Sequence, residues 1–228
     1  MKKLVVWMCI LTLLALPGCA QTTAPPTTTL AIDPPKQERV YPGAVEDYLN
    51  PVQAYSRPRK EKPEFVMLHF TSAVMLSKDD PYNIRTVRSI FRDYEVSIHY
   101  IVDRDGTVRC YIPEDREAWH AGSGTWGGDP KYTDNMNAYA IGIEILAIGS
   151  VSDMAQYLSA EAYAEIDPTF IGYTEEQYVA LEQLVADICT RYDIPLDRQH
   201  IIGHQEYSPQ KADPGELFDW NRIVKEQG

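Results

Sequence analysis

Positive charge is what this sequence has least of: 21 Lys and Arg stand against 33 Asp and Glu in 228 residues, a formal charge of −12. Phosphate backbones need a positive field, so nucleic acid is excluded as the main partner. Cysteine is scarce, at four, and no P-loop, paired Cys-x-x-Cys or His-Glu-x-x-His pattern occurs. Nucleotide-cradling and the commonest sequence-local zinc arrangements are thereby set aside. No internal repeat is visible. Apolar runs are short: the longest, Leu4 to Leu16, is too brief to span a bilayer as a helix and follows Lys2 and Lys3 directly. That arrangement reads as a secretion signal. At this length one domain is expected, with a core large enough to fold without disulfide staples.

The end of the signal refines the compartment. Leu16, Pro17, Gly18 and Cys19 resemble the lipobox of bacterial lipoproteins, in which the Cys is acylated and becomes the mature N-terminus. The alternative is an ordinary signal peptide with an incidental Cys. Removing residues 1–18 discards two positive charges and no negative ones, leaving 19 against 33, or −14. The expectation is an acidic protein of the cell envelope, lipid-anchored through Cys19, facing the periplasm from the outer membrane if the cell has one. With Cys9 lost in the signal, Cys110 and Cys189 remain. Two thiols in an oxidising compartment can pair, but both fall in apolar contexts, so two separate buried thiols stand as an equal reading.

Residues 19–40 comprise the acylated Cys and a Thr- and Pro-rich tether, whose composition cannot repay the entropy of ordering. Its 17 residues from Ala20 to Lys36 would reach about 50 Å if extended at ~3.1 Å each. Residues 41–63 add Tyr41, Tyr48, Leu49 and Tyr55 to a Pro-rich background and read as an arm lying on the domain. The domain proper is placed at 64–228. It opens with Phe65 to Phe70, a continuous apolar run that suits a strand buried on both faces. A helix is expected from Pro81 with Asp80 as its N-cap. Two strands, Val96 to Asp103 and Thr107 to Ile112, meet at Asp105-Gly106, a hairpin signal. A glycine-rich loop runs from Ala121 to Pro130, and Tyr139 to Ala147 is a further strand, apolar but for Glu144. Thr174 and Gln177 form a capping box before apolar residues at helical spacing, and Pro195 stops that helix. A short strand at Gln199 to Gly203 and a last helix near Gly215 to Val224 follow. The fold class is α/β, a single domain with a central mixed sheet flanked by helices.

Five histidines, at 69, 99, 120, 200 and 204, cluster in or beside the apolar strands. A His inside a buried strand is more often a satisfied core residue than a ligand. What raises the functional reading is the segment from His204 to Gly215, where a His, Lys211 and Asp213 lie within ten residues on a chain that Pro209 and Pro214 keep from being helical. Two imidazoles and one carboxylate are a donor set that catalytic zinc sites use, with the fourth position left to water. His200 and His204 are spaced like helical ligands, but Ile201, Ile202 and Gly203 favour a strand, where four residues span about 13 Å. Both then cannot hold one ion, and His204 is the nearer to Asp213. Glu144 is either a strand-end carboxylate facing solvent or a base tuned by burial.

These residues carry a resemblance. The segments 66–73, 97–106, 118–122, 137–144 and 203–215 are similar, in order, to the motifs of the type-2 N-acetylmuramoyl-L-alanine amidases, which share a fold with animal peptidoglycan recognition proteins. The likeness covers about 160 residues, from Glu64 to near Arg222. It implies one zinc ion held by His69, His204 and Asp213, catalysis by Glu144 and Lys211, and substrate contacts at Asn137 and His120. The substrate implied is peptidoglycan or its muropeptides, cut between N-acetylmuramic acid and L-alanine, by a monomer. The lipobox adds the lipoprotein branch of that family. Two features depart from the family pattern: the loop from His204 to Lys211 is one residue shorter, and an insertion fills Leu146 to Gly172.

Weaker candidates remain. His99 sits in a motif but is equally a packing residue, and His120 beside Trp119 is divided between substrate contact and structure. Trp126 is assigned to stack on sugar, with loop anchoring as its alternative. Ser123 lacks the first glycine of a nucleophile elbow, which disfavours a serine hydrolase. The acidic stretch Ser159 to Asp167 reads as a solvated face. A peptidoglycan-binding lipoprotein without hydrolysis is the competing reading, opposed by the presence of all five metal and catalytic residues.

Overall fold

The computed structural model describes residues 40–225; the signal, Cys19 and nearly all of the tether lie outside the described residues. Among the described residues a six-stranded sheet has the order β1-β5-β4-β7-β3-β8, with β1 Val45–Glu46, β3 Phe65–Thr71, β4 Tyr100–Val102, β5 Val108–Cys110, β7 Ala140–Leu146 and β8 Ile201–Gly203. Strands β2 (Ser56–Pro58) and β6 (Arg116–Ala118) form a separate antiparallel ribbon. The main sheet is mixed, since β4 and β5 pair antiparallel across the Asp105-Gly106 turn while β3, β7, β8 and β4 run parallel. Gly106 takes φ +81° there, which the turn requires and L side chains resist.

The two longest strands lie side by side at the centre, registered from Phe65↔Ala140 to Thr71↔Leu146. Their runs read as continuously apolar because both faces are covered, yet each face has its own composition. Val66 and Leu68 of β3 and Ile141, Ile143 and Ile145 of β7 pack under α4 (Glu175–Tyr192), together with its Leu181, Leu184, Val185 and Ile188. On the other face Phe65, Met67 and Ala140 meet Ile202 and Tyr207. His69 and Glu144, paired in register, continue this second face toward the carboxyl ends of the strands. Ligand sites of open α/β sheets occupy that end.

The remaining helices are α1 (Ile84–Asp93), α2 (Val151–Met154), α3 (Ala160–Ala164), α5 (His204–Tyr207) and α6 (Trp220–Ile223). Helix α4 begins at the reciprocal Thr174/Gln177 cap and ends at Asp193 in the left-handed conformation, two residues before Pro195. Helix α1 starts later than its sequence suggests. Its cap is Asn83, whose Oδ1 accepts from the amides of Arg85 and Thr86 at 3.2 Å, while Asp80 instead accepts from Asn83 Nδ2 at 2.9 Å. Pro81 thus closes a turn in front of the helix rather than opening it. In the acidic stretch 159–167, Glu161 and Glu165 face solvent, but Tyr163 and Ile166 are buried anchors. Cys110 on β5 and Cys189 on α4 are free, buried thiols in the core between the sheet and that helix.

The segment before Glu64 does more than lie on the domain. It supplies β1 at the sheet edge and β2 of the ribbon, and it buries Leu49 completely. One polar cluster ties this segment to the core. Glu114, fully buried, accepts from both guanidinium nitrogens of Arg191, from Tyr192 Oη at 2.8 Å and from Tyr100 Oη, and Tyr100 Oη accepts from the amide of Tyr41 at 2.7 Å. Every acceptor position of this carboxylate is served, which is the condition for burying a charge. Glu114→Ala is expected to strip a largely buried Arg191 of that partner and to lower unfolding stability by roughly 3–5 kcal/mol. Denaturant titration measures this; a loss under about 1 kcal/mol would show that the cluster is not a stabilising pair.

Candidate metal centre and active site

At the carboxyl ends of β3 and β8 the chain brings three donor atoms together. His69 Nδ1 lies 3.0 Å from His204 Nδ1 and 2.8 Å from Asp213 Oδ2, and His204 Nδ1 lies 2.9 Å from the same oxygen. Each is positioned by local structure. His69 ends the buried part of β3 and is 2% exposed. His204 is the first residue of α5, directly after β8. Gly203 before it lets Pro214 approach, since a Cβ there would come within 2.8 Å of Pro214 Cδ. The Asp213 carbonyl accepts from the Gln205 amide at 3.0 Å, which fastens the returning loop to α5.

The protonation pattern follows from the partners. His204 Nε2 is 3.0 Å from the Ala121 carbonyl, which can only accept, so the ring carries its proton there and presents a lone pair at Nδ1. Burial first, and then His204, pull the His69 pKa down to about 4 against the opposing pull of Asp213. His69 is therefore neutral at neutral pH. Its Nε2 meets His120 Nδ1 at 3.0 Å. Burial raises the Asp213 carboxyl, but the two facing rings outweigh it and hold it well below the usual carboxylate range, with His69 Nδ1 as the donor to Oδ2. Without an ion at most one proton, on His69, lies among the three atoms; a cation satisfies all of them at once. The triangle's sides are slightly under the ~3.3 Å edge of a tetrahedron with bonds of about 2.0–2.1 Å, and two neutral imidazoles with one carboxylate form a zinc donor set. The residues fit the ion. Among the described residues this trio is the group of His, Cys, Asp and Glu with metal-binding geometry.

Glu144 stands beside His69 on the neighbouring strand. Its Oε2 is buried without a hydrogen-bond partner, and burial, then the Asp213 charge, push its pKa well up, with Lys211 opposing. Lys211 is exposed, on the same loop as Asp213, with its backbone amide bonded to the Ser208 carbonyl at 2.9 Å. The five metal and catalytic candidates thus converge on one place.

The other candidates divide. Asn137 Oδ1 accepts from the amides of His120 and Ala121 at 3.0 and 2.9 Å, so it fixes the backbone that orients His204. His120 backs His69 and lies over Gly142, where any Cβ would come within 2.7 Å of its ring; its Nε2 is buried without a partner. Trp126 packs edge-on against Phe65, four residues before His69 on β3 and hence about 13 Å along the strand. The structure places it as an anchor of the glycine-rich loop, away from the centre. His99 accepts from the Gly142 amide and bonds the Arg116 carbonyl, both at 3.0 Å, which leaves no nitrogen for an ion. His200 pairs with Asp197 at 2.7 Å and stacks on Phe65, outside the trio.

Sequence reading missed Arg59. Its guanidinium donates to the carbonyls of Glu114, Arg116, Ala138 and Ala140 at 2.7–3.1 Å, gripping the segments on either side of Asn137. Burial lowers its pKa to about 10. A single Arg in a charged, Pro-rich arm carries no local signal of such a role.

Comparison with known proteins agrees with this geometry. The family model described as N-acetylmuramoyl-L-alanine amidase matches residues 59–216. The 1,6-anhydro-N-acetylmuramyl-L-alanine amidase AmpD of Citrobacter freundii is 28% identical over 180 residues, 73% of this chain and 82% of that protein. The N-acetylmuramoyl-L-alanine amidase AmiD of Escherichia coli K12 is 31% identical over 142 residues, 59% of this chain and 45% of AmiD. Among solved structures, a selenomethionine derivative of AmpD superposes with a TM-score of 0.58 at 24% identity, covering 82% of this chain and 95% of that one, a likeness of fold. AmiD from E. coli, in complex with the substrate anhydro-N-acetylmuramic acid-L-Ala-D-γ-Glu-L-Lys, gives 0.52 at 25% identity over 71% of this chain and 56% of that one. With the ordered motifs, the mixed sheet and the family match all in agreement, the chain belongs to the type-2 N-acetylmuramoyl-L-alanine amidases, a family of enzymes.

Proposed function

We propose that this protein is a zinc-dependent, lipid-anchored amidase of the cell envelope that hydrolyses the bond between N-acetylmuramic acid and L-alanine during peptidoglycan turnover or recycling. The observation that carries the reading is the triangle of His69 Nδ1, His204 Nδ1 and Asp213 Oδ2 with the unpartnered Glu144 carboxylate beside it. In this reading those three residues hold zinc. When bound, the ion supplies a Lewis acid that polarises the scissile carbonyl and acidifies water. Glu144 takes the proton of the attacking water and returns it to the leaving L-alanine nitrogen, a transfer that its raised pKa suits. Lys211 offers a fixed positive charge to the developing oxyanion. Asn137 and His120 hold the ligands in place, through the Ala121 carbonyl and through His69 Nε2.

Purified peptidoglycan digested with the zinc-loaded protein is expected to release peptides with a new N-terminal alanine; amino groups exposed only at later stem residues would make it an endopeptidase. Chelation should stop release and zinc restore it, with His204→Ala losing the metal and His200→Ala keeping it. The reverse pattern would reassign the ligand.

Glu144→Gln preserves shape while removing the base. Turnover should fall by about 10²–10⁴-fold with zinc content unchanged. Near-normal hydrolysis would take Glu144 out of the mechanism, and loss of zinc would make it a metal-ordering residue.

The anchoring rests on the lipobox-like ending of the signal, outside the described residues. Cys19→Ser should abolish acylation and release the protein from membranes. Mass spectrometry that finds a mature N-terminus elsewhere in the wild type would refute it.

A further inference from the structure

The ribbon of β2 and β6 is separate from the main sheet, and among the described residues no ladder of backbone hydrogen bonds joins β6 to β7. The join matters for the metal centre. The chain leaving β6 at Ala118 runs into His120 and Ala121, which orient the two histidine ligands, while Asn137 stands just before β7. Side chains make the connection instead. Ser97 holds Trp119 through its own amide and hydroxyl, and His99 spans from the Arg116 carbonyl to the Gly142 amide. Arg59 is the third of these clasps and the broadest.

Its place is fixed twice before the side chain begins. Pro58 pairs with Arg116 at the end of the ribbon, and the Arg59 amide donates to the Asp115 carbonyl at 2.9 Å. From there the guanidinium reaches both sides of the gap, to the carbonyls of Glu114 and Arg116 on one and to those of Ala138 and Ala140 on the other. These partners are carbonyls rather than carboxylates, so direction counts as well as charge. A planar fork of donors can satisfy all four, whereas an ammonium on a flexible stem carries too few donors. Arg57, two residues earlier, is the contrast: it is largely exposed and pairs with Glu117 at 2.6 Å, within the ribbon alone. Attachment of the arm to the domain does not require such a group either, since Leu49 achieves that by apolar burial.

We propose that Arg59 is a positioning residue for the metal centre, which sets zinc affinity by fixing the separation of the ends of β6 and β7, so that the functional unit begins before Glu64. The proposal rests on the zinc reading of the site. When the clasp is loosened, Asn137 and the backbone of 120–121 part, and the Nδ1 atoms of His69 and His204 lose their common aim. Groups bonded directly to metal ligands typically contribute ~10–100-fold to metal affinity. Arg59 acts one step further out, and about tenfold is expected.

The test is zinc affinity of the full chain, measured by competition with a chromophoric chelator. Arg59→Lys, which keeps the charge and loses the fork, should weaken zinc binding about tenfold, and Arg59→Gln should do the same. At a fixed excess of free zinc, the stabilisation that zinc confers against unfolding should shrink by the equivalent ~1.4 kcal/mol. Arg57→Gln removes a pair from the ribbon alone, and it should leave zinc affinity and the zinc-conferred stabilisation at wild-type values. A merely structural Arg59 would instead lower the stability of the metal-free and zinc-loaded forms equally, and wild-type zinc affinity in Arg59→Lys would overturn the proposal. Should the variants fail to fold, the wild type supplies the measurement, because coupling is reciprocal. Zinc should slow hydrogen exchange of the Arg59 Nε proton, donated to the Glu114 carbonyl at 2.8 Å, by the same factor; unchanged exchange would overturn the proposal as well. A wild type that binds no zinc would refute the zinc reading itself, an outcome distinct from zinc binding that ignores Arg59.

Discussion

Two imidazole nitrogens and a carboxylate oxygen stand 2.8–3.0 Å from one another, in a place where burial keeps at least one ring neutral. Such an arrangement is costly unless something positive lies among the donors, and the surrounding fold is organised to maintain it. The constraint propagates outward in steps. Ala121 fixes the tautomer of His204; Asn137 fixes the backbone of His120 and Ala121; Arg59 grips the carbonyls flanking Asn137. On the other side His120 fixes His69, and can do so because Gly142 beneath it has no side chain. An N-terminal arm residue is in this way connected to His204, and likewise to His69, through three hydrogen-bond steps.

The central strands show how structure and chemistry share one sheet. Along β7 the bulky Ile141, Ile143 and Ile145 face α4, while Ala140, Gly142 and Glu144 face the site. The small residues give room for His120 and the glutamate carries the charge. Read without that alternation, β7 is an apolar strand with one misplaced acid. Read with it, hydrophobic stabilisation is concentrated on one face, and the other is free to hold groups that burial would otherwise disfavour.

What the sequence made legible follows from range. The paired central strands, the Asp105-Gly106 hairpin and the Thr174/Gln177 cap are set by neighbours a few residues apart, and each lies where the local pattern puts it. His69, His204 and Asp213 were expected together from ordered motifs, and the fold does bring their donor atoms within 3.0 Å of one another. Asp80 as a cap was a local inference that lost to Asn83, because a Pro-led turn precedes the helix. Arg59, Asp153 and the two-residue strand β1 were not legible, since each acts on partners distant in sequence: Arg59 bonds carbonyls 55 to 81 positions away, and Asp153 accepts an amide 63 positions on. Trp126 was drawn to the site by its glycine-rich context, whereas packing on Phe65 holds it at the other end of β3.

Asp153 also bears on how a segment that takes no part in the chemistry is held against its surroundings. A loop that is only draped over its neighbours samples many positions. Here the segment after β7 has a small core and a carboxylate that bonds both its own first turn and the backbone three residues after Asp213. The two close approaches at Gly149 and Gly215 leave little slack in that joint. One carboxylate bonded at once to the first turn of α2 and to the Glu216 amide fixes the spacing between that helix and the loop that carries Asp213, so removing Asp153 would release both attachments together.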